Sequence, residues 1–177
     1  IVSVKRLGFP VQLNDTTRAF LTQMAPTAPA AGQKAIADML ADESNTQAAA
    51  ILSADPVMNS TLRTTCVATM LDAGHAPNAL PQRAKGVVNC RIVPAMTTEA
   101  TQAAIVAAIA NPRIKVTLRK PHRPMAVPPP LDKRILDPAI KLAGEIFPGV
   151  PLVPTMSTGA TDATMTALIN IPTYGIP

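Results

Sequence analysis

The sequence predicts an α+β fold: a two-layer sandwich with helices on one face of an antiparallel sheet, followed by a piece of an α/β domain. Two β-branched runs, residues 64–71 (TTCVATML) and 85–93 (KGVVNCRIV), are joined by a loop holding Gly74, Pro77, Asn78 and Pro81. Segments with apolar residues at helical spacing flank that pair on both sides. Residues 119–130 then carry five prolines in twelve positions, which favours extended backbone and removes donors, so a boundary is expected there. The expected units are therefore 1–119 and 120–177.

Each element follows from local pattern. Residues 15–25, 33–41 and 46–52 read as short helices, with Asn14 or Asp15, Ala31-Gly32 and Ser44-Asn45 as the punctuation between them. The two β-branched runs read as a long hairpin. After Pro94, residues 98–111 place Ala100, Ala103, Ala104, Ala107 and Ala108 on one stripe beside Ile105 and Ile109, and Asn111-Pro112 ends that helix. A strand at 114–118 is expected next, which fills most of a two-layer unit except its opening strand. Beyond the prolines come a helix at 131–147, a strand near 152–154, a Gly-containing loop, a helix at 161–169 and a strand at 173–176. That alternation is α/β in style and too short to close a sheet alone, so a piece of a larger protein is expected. Ile1 to Arg6 reads as the middle of an element rather than a signal peptide, because its basic residues follow its apolar ones.

Composition excludes two function classes. Of 177 residues 47% are apolar, but there is no Trp, one Tyr and three Phe, so a core must be built from small aliphatic side chains. The net charge of +5 is scattered, and base-stacking aromatics are missing, which argues against a nucleic-acid partner. The apolar stretches at 103–110 and 48–52 fall short of the ~20 residues a membrane span needs. Cys66 and Cys90 sit in the two β-rich runs; free buried thiols and a disulfide both remain open.

Few residues offer chemistry. A zinc site needs three or four convergent ligands, whereas His75 and His122 are far apart and the carboxylates are dispersed except at Asp42-Glu43. His75 reads as a loop histidine, with a catalytic role as the lesser alternative, and His122 as inert among prolines. Ser157 lies in no G-x-S-x-G elbow, and neither histidine has an evident orienting carboxylate. In the second β run, alternation puts Val88, Cys90 and Ile92 on one face and Asn89, Arg91 and Val93 on the other. The apolar trio is expected to face the helices, leaving Arg91 open, either solvated or able to grip a carboxylate through two parallel hydrogen bonds. Asn78 adds an amide donor from the loop. At 156–162, Gly159 permits a turn and Thr158 or Thr161 caps a helix; alternatively, exposed amides with the Ser157 and Thr158 hydroxyls cradle an anion. Asp162 stabilises the following helix through its dipole.

The run RTTCVATMLDAGHAPNALPQRA followed by VVNCRIVP resembles the paired strands of the inserted lid, or dimerisation domain, of zinc-dependent exopeptidases and amidohydrolases. That family includes aminoacylase, succinyl-diaminopimelate desuccinylase and glutamate carboxypeptidase. STGATDAT followed by INIPTYG resembles the substrate-carboxylate loop and next strand of its catalytic domain, and residues 14–55 look like an elaboration of the lid. The resemblance implies a lid over 1–119 and a C-terminal part of the catalytic domain over 120–177. It implies that Asn78 positions the scissile carbonyl and Arg91 binds the substrate's free carboxylate, with Ser157, Thr158 and Gly159 as the facing wall. Asn and Arg of this kind can serve the neighbouring subunit, so a homodimer through the lid is implied, with a small peptide or N-acyl amino acid as substrate. It further implies a parent with two zinc ions whose ligands and general-base glutamate lie outside this chain, so that no metal binds here and the isolated chain is inactive. The lid histidine of the family belongs before Ile1, and His75 is no substitute. A non-catalytic dimerisation or binding module is the alternative. A periplasmic or secreted parent is expected if the cysteines are bonded.

Overall fold

A computed structural model describes residues 2–120, 124–125 and 127–176. The chain opens with α1 (Val2–Arg6), α2 (Asp15–Met24), a 3₁₀ turn (Ala25–Thr27), α3 (Ala30–Ala41), α4 (Thr46–Leu52) and α5 (Pro56–Leu62). The hairpin strands β1 (Thr65–Ala73) and β2 (Ala84–Arg91) follow, then α6 (Thr98–Ile109), α7 (Lys133–Ile146) and α8 (Ala163–Ala167).

Local chemistry sets the helix ends. The Asn14 side chain accepts from the Thr17 N–H at 2.9 Å while the Asn14 N–H donates to Thr17 Oγ1 at 2.8 Å, a reciprocal cap that starts α2. Asn45 caps α4 by accepting from the Ala48 N–H at 3.0 Å. α3 begins at Ala30, earlier than the expected 33, because Pro29 stands at its N-cap and Gly32 is absorbed into the first turn. α5 was not expected, yet Asp55 caps it and Pro56 occupies its first turn, where a missing N–H costs nothing.

Helices α2 to α5 enclose their own core of Leu21, Ala35, Ile36, Met39, Ala48, Leu52 and Leu62. Leu21, Met39 and Leu62 are completely buried. Polar ties reinforce the packing: Arg18 pairs with Glu43, Glu43 also accepts the Leu13 N–H at 3.2 Å, and the Gln12 N–H donates to the Leu62 carbonyl at 2.9 Å. A second, smaller layer forms where α1 packs on both β1 and α6, burying Val4, Thr101 and Ile105. On α6 the buried residues are Thr101 and Ile105; Ala100, Ala103 and Ala107 of the expected alanine stripe are exposed.

The α+β class holds, with a two-stranded antiparallel ribbon as the sheet among the described residues. Pairing runs from Thr65↔Arg91 to Ala73↔Ala84, with an irregularity between Ala68 and Met70 that leaves Thr69 unpaired. The strand expected at 114–118 is not formed. That segment is fastened to α6 through Gln102, whose Nε2 donates to the Val116 carbonyl at 3.0 Å, and no ladder forms along it among the described residues. The strands expected at 152–154 and 173–176 likewise lack a ladder partner among the described residues. α7 and α8 bury no residue, and Ile135, Ile140, Leu142 and Ile146 of α7 stay exposed. No helix among the described residues is long and apolar enough to cross a membrane.

Candidate functional site

Arg91 ends β2, opposite Thr65, and is exposed. Strand parity placed it correctly: Val88, Cys90 and Ile92 are half-buried while Asn89 and Arg91 point outward. Val93 departs from that reading. It is buried, at 4% exposure, because the ladder stops at Arg91 and the Val93 N–H turns in to donate to the buried Thr64 Oγ1 at 3.2 Å. Alternation holds only while the pleat continues.

The guanidinium of Arg91 reaches across the chain. Its Nη1 donates to the backbone carbonyl of Thr158 at 3.3 Å, so β2 and the 157–159 loop meet. Among the described residues the ion pairs are Arg18–Glu43, Lys34–Asp38 and Arg134–Asp132, so Arg91 faces a carbonyl and no carboxylate. A guanidinium has five N–H donors in a planar fork, and one carbonyl leaves capacity for a bidentate anion.

The loop itself is less of a cradle than its composition implied. The Gly159 N–H donates to Ser157 Oγ at 3.2 Å, so this amide is spent locally. Gly159 is not required by sterics, since a Cβ there meets Ser157 Oγ at an ordinary 3.5 Å. Thr161 sits ahead of the helix, its Oγ1 accepting from the Ala163 N–H at 3.4 Å, and five-residue α8 offers little dipole. What the loop brings to Arg91 is the Thr158 carbonyl, with the Ser157 and Thr158 side chains beside it in sequence.

Asn78 stands elsewhere. It is exposed in the connection beyond Ala73 and Ala84, whereas Arg91 closes the opposite end of the ribbon. The seven steps from Ala84 to Arg91 span about 24 Å at ~3.4 Å per residue. Within one chain Asn78 and Arg91 therefore do not address the same small ligand. His75 shares the Asn78 end, where a polar hollow of about 310 Å³ is lined by Asp72, Ala73, Gly74, His75, Gln82 and Arg83. His122 lies outside the described residues.

The described residues do not fit a zinc site: no group of three or more His, Cys, Asp or Glu side chains converges, and both cysteines are bonded to each other. The Cys66–Cys90 disulfide joins directly paired residues of β1 and β2, 4.1 Å apart at Cα. Pairing in register is what brings the two sulfurs together, and sequence alone left that open.

One basic residue was missed. Arg63, between α5 and β1, donates from Nη1 to the Phe9 carbonyl at 3.1 Å and from Nη2 to Ser53 Oγ at 2.9 Å, with its buried Nε unpartnered. Burial pulls its guanidinium below the ordinary arginine range. It ties the α5–β1 turn to the segments holding Phe9 and Ser53. An arginine flanked by Thr61, Leu62 and Thr64 in a helix-to-strand turn was the available signal.

Residues 26–117 match the family model described as the peptidase dimerisation domain, M20_dimer. The span takes in the ribbon with Asn78 and Arg91 and stops short of the 157–159 loop. Among curated proteins, the N-fatty-acyl-amino acid synthase/hydrolase PM20D1 of Mus musculus is 28% identical over 107 residues, covering 58% of this chain and 21% of that protein. PM20D1 of Xenopus tropicalis is 30% identical over 116 residues, covering 64% of this chain and 22% of its own length. The matched stretch thus spans about a fifth of the relatives' length. No solved structure matches. With more than half of its residues in that match, the chain belongs to the peptidase dimerisation-domain family of M20 peptidases.

Proposed function

We propose that this chain supplies the lid and the substrate-carboxylate groups of a two-zinc peptidase or amidohydrolase that cleaves a peptide or N-acyl amide bond. The observation that carries the reading is Arg91, held outward at a ribbon end and joined to the Thr158 carbonyl, with no carboxylate among the described residues paired to it. Its fork takes the free carboxylate of the substrate, and Ser157, Thr158 and Gly159 form the facing wall. The relatives named for N-fatty-acyl-amino acids support an N-acyl amino acid as the substrate class, because such molecules end in a carboxylate. Zinc belongs to parts of the parent outside this chain, and no catalytic step is assigned to the residues here. The isolated chain is accordingly inactive.

Asn78 sits at the far end of the ribbon from Arg91, so we assign it to the scissile carbonyl of a different active site, that of the neighbouring subunit in a homodimer. Replacing Arg91 with Ala in the complete enzyme is expected to raise KM and lower kcat/KM by ~2 to 4 kcal/mol, the range for losing a desolvated charge pair. Unchanged kinetics toward carboxylate-terminated substrates would refute the role.

A second reading is favoured by the family description: a dimerisation module that turns nothing over. Metal analysis of the complete protein separates the two. Two zinc ions and chelator-sensitive hydrolysis support the enzyme; a metal-free, inactive protein supports the module.

A further inference from the structure

The Cys66–Cys90 pair is the rung of the ladder next to Thr65↔Arg91, the last rung of all. Arg91 is therefore bracketed. Ahead of it in β2 is a covalent crosslink; after it, the Val93 N–H holds the Thr64 hydroxyl. The remainder of the ribbon gives weaker support, since the pairing slips between Ala68 and Met70 and Val67, Met70 and Leu71 are exposed. A two-stranded ribbon draws little stability in water from its ladder alone, and here the packing of α1 on β1 adds to it. Position 91 thus leans on the adjacent crosslink as well as on the ladder, and both cysteines are half-buried rather than enclosed.

We propose that Cys66 and Cys90 are positioning residues for Arg91 and that their disulfide is a thiol-exchangeable latch on carboxylate binding. This rests on the reading of Arg91 as the carboxylate clasp. Closed, the latch holds the guanidinium against the Thr158 carbonyl with its other donors presented outward. It opens by reaction with a dithiol: one thiolate attacks a sulfur, the Cys66–Cys90 bond breaks and a mixed disulfide forms. The second thiol of the reductant displaces it, leaving the reductant's own disulfide and two cysteine thiols, a transfer of two electrons and two protons. The end of β2 then gains freedom and the fork loses its fixed aim.

The test uses the ¹⁵N-labelled 177-residue chain with N-acetylglycine as carboxylate probe and N-acetylglycinamide as its uncharged control. The Arg91 Nε–H signal, assigned by its disappearance in Arg91→Lys, is followed with the disulfide intact, after reduction by dithiothreitol, and after reoxidation. A saturable shift with the acid and none with the amide is expected in the oxidised chain. Reduction is expected to raise Kd at least fivefold, and reoxidation to restore it. Cys66→Ala/Cys90→Ala should match the reduced chain in either condition, whereas Met39→Ala, which loosens the helical core alone, should leave Kd unchanged. Equal affinity in both redox states overturns the latch and leaves the carboxylate reading standing. Absence of any acid-dependent shift in the oxidised chain overturns the carboxylate reading, and the latch with it.

Discussion

Opening the disulfide has a stability consequence that can be worked out from its place in the chain. Cys66 and Cys90 are separated by 24 residues, so the crosslink closes a loop of moderate length. In the chain-entropy description, a loop of that size removes about 11.6 cal/mol/K from the unfolded chain, or about 3.5 kcal/mol at 25 °C. Urea unfolding of the oxidised and dithiothreitol-reduced chain, followed by far-ultraviolet circular dichroism, measures the difference. Reduction keeps both sulfur atoms in place, so the comparison is cleaner than Cys→Ser replacement, which puts hydroxyls into a half-buried position. The oxidised chain is also expected to show the smaller m value, because a crosslinked unfolded state exposes less surface. A stability loss below about 1 kcal/mol, against the 2 to 5 typical of a native disulfide, would refute the reasoning. It would mean that the ribbon frays independently of the helices it was taken to unfold with.

Two further outcomes are expected. Met39→Ala removes a completely buried side chain from the α2–α5 core and should cost ~2 to 5 kcal/mol in urea unfolding, the range for emptying such a site. Asp42 accepts from the Ser44 hydroxyl at 2.7 Å and the Ser44 N–H at 2.9 Å, and these bonds hold its carboxyl below the usual range. A depressed carboxyl stabilises the fold at pH above about 4 and loses that contribution as pH falls through its folded value. Asp42→Asn should therefore lower stability on the neutral side and leave the acid side nearly in place, which flattens the profile between them.

Much of the helical part was legible because its signals are local. Caps at Asn14 and Asn45 and apolar spacing within each turn act over a few residues, and α2 and α4 lie where they point. α5 carried the same kind of signal, Asp55 before Pro56, but its seven residues show no long apolar period. Strands are different, since a strand exists only beside another strand. Residues 114–118, 152–154 and 173–176 have strand-like composition but no neighbour among the described residues, and the first of them is held by a side chain of α6 instead.

The site divides along the same line. Parity gave the face on which Arg91 stands, because the pleat repeats every two residues. It gave no position along the ribbon, and so could not separate Asn78 from Arg91 by the length of a strand. Nor could it register that the pleat ends at Arg91, which is why Val93 turns inward. The contact of Arg91 with Thr158 and the bonding of Cys66 to Cys90 both depend on segments distant in sequence, beyond what local pattern carries.

A thermodynamic cycle on kcat/KM bears most directly on the clasp. The complete enzyme and its Arg91→Ala variant would each be assayed on an N-acyl amino acid and on the same molecule with its carboxylate converted to a carboxamide. If the guanidinium grips the carboxylate, loss of either partner costs ~2 to 4 kcal/mol and loss of the second adds little. Costs that simply add would show that Arg91 acts on something other than the substrate's acid group.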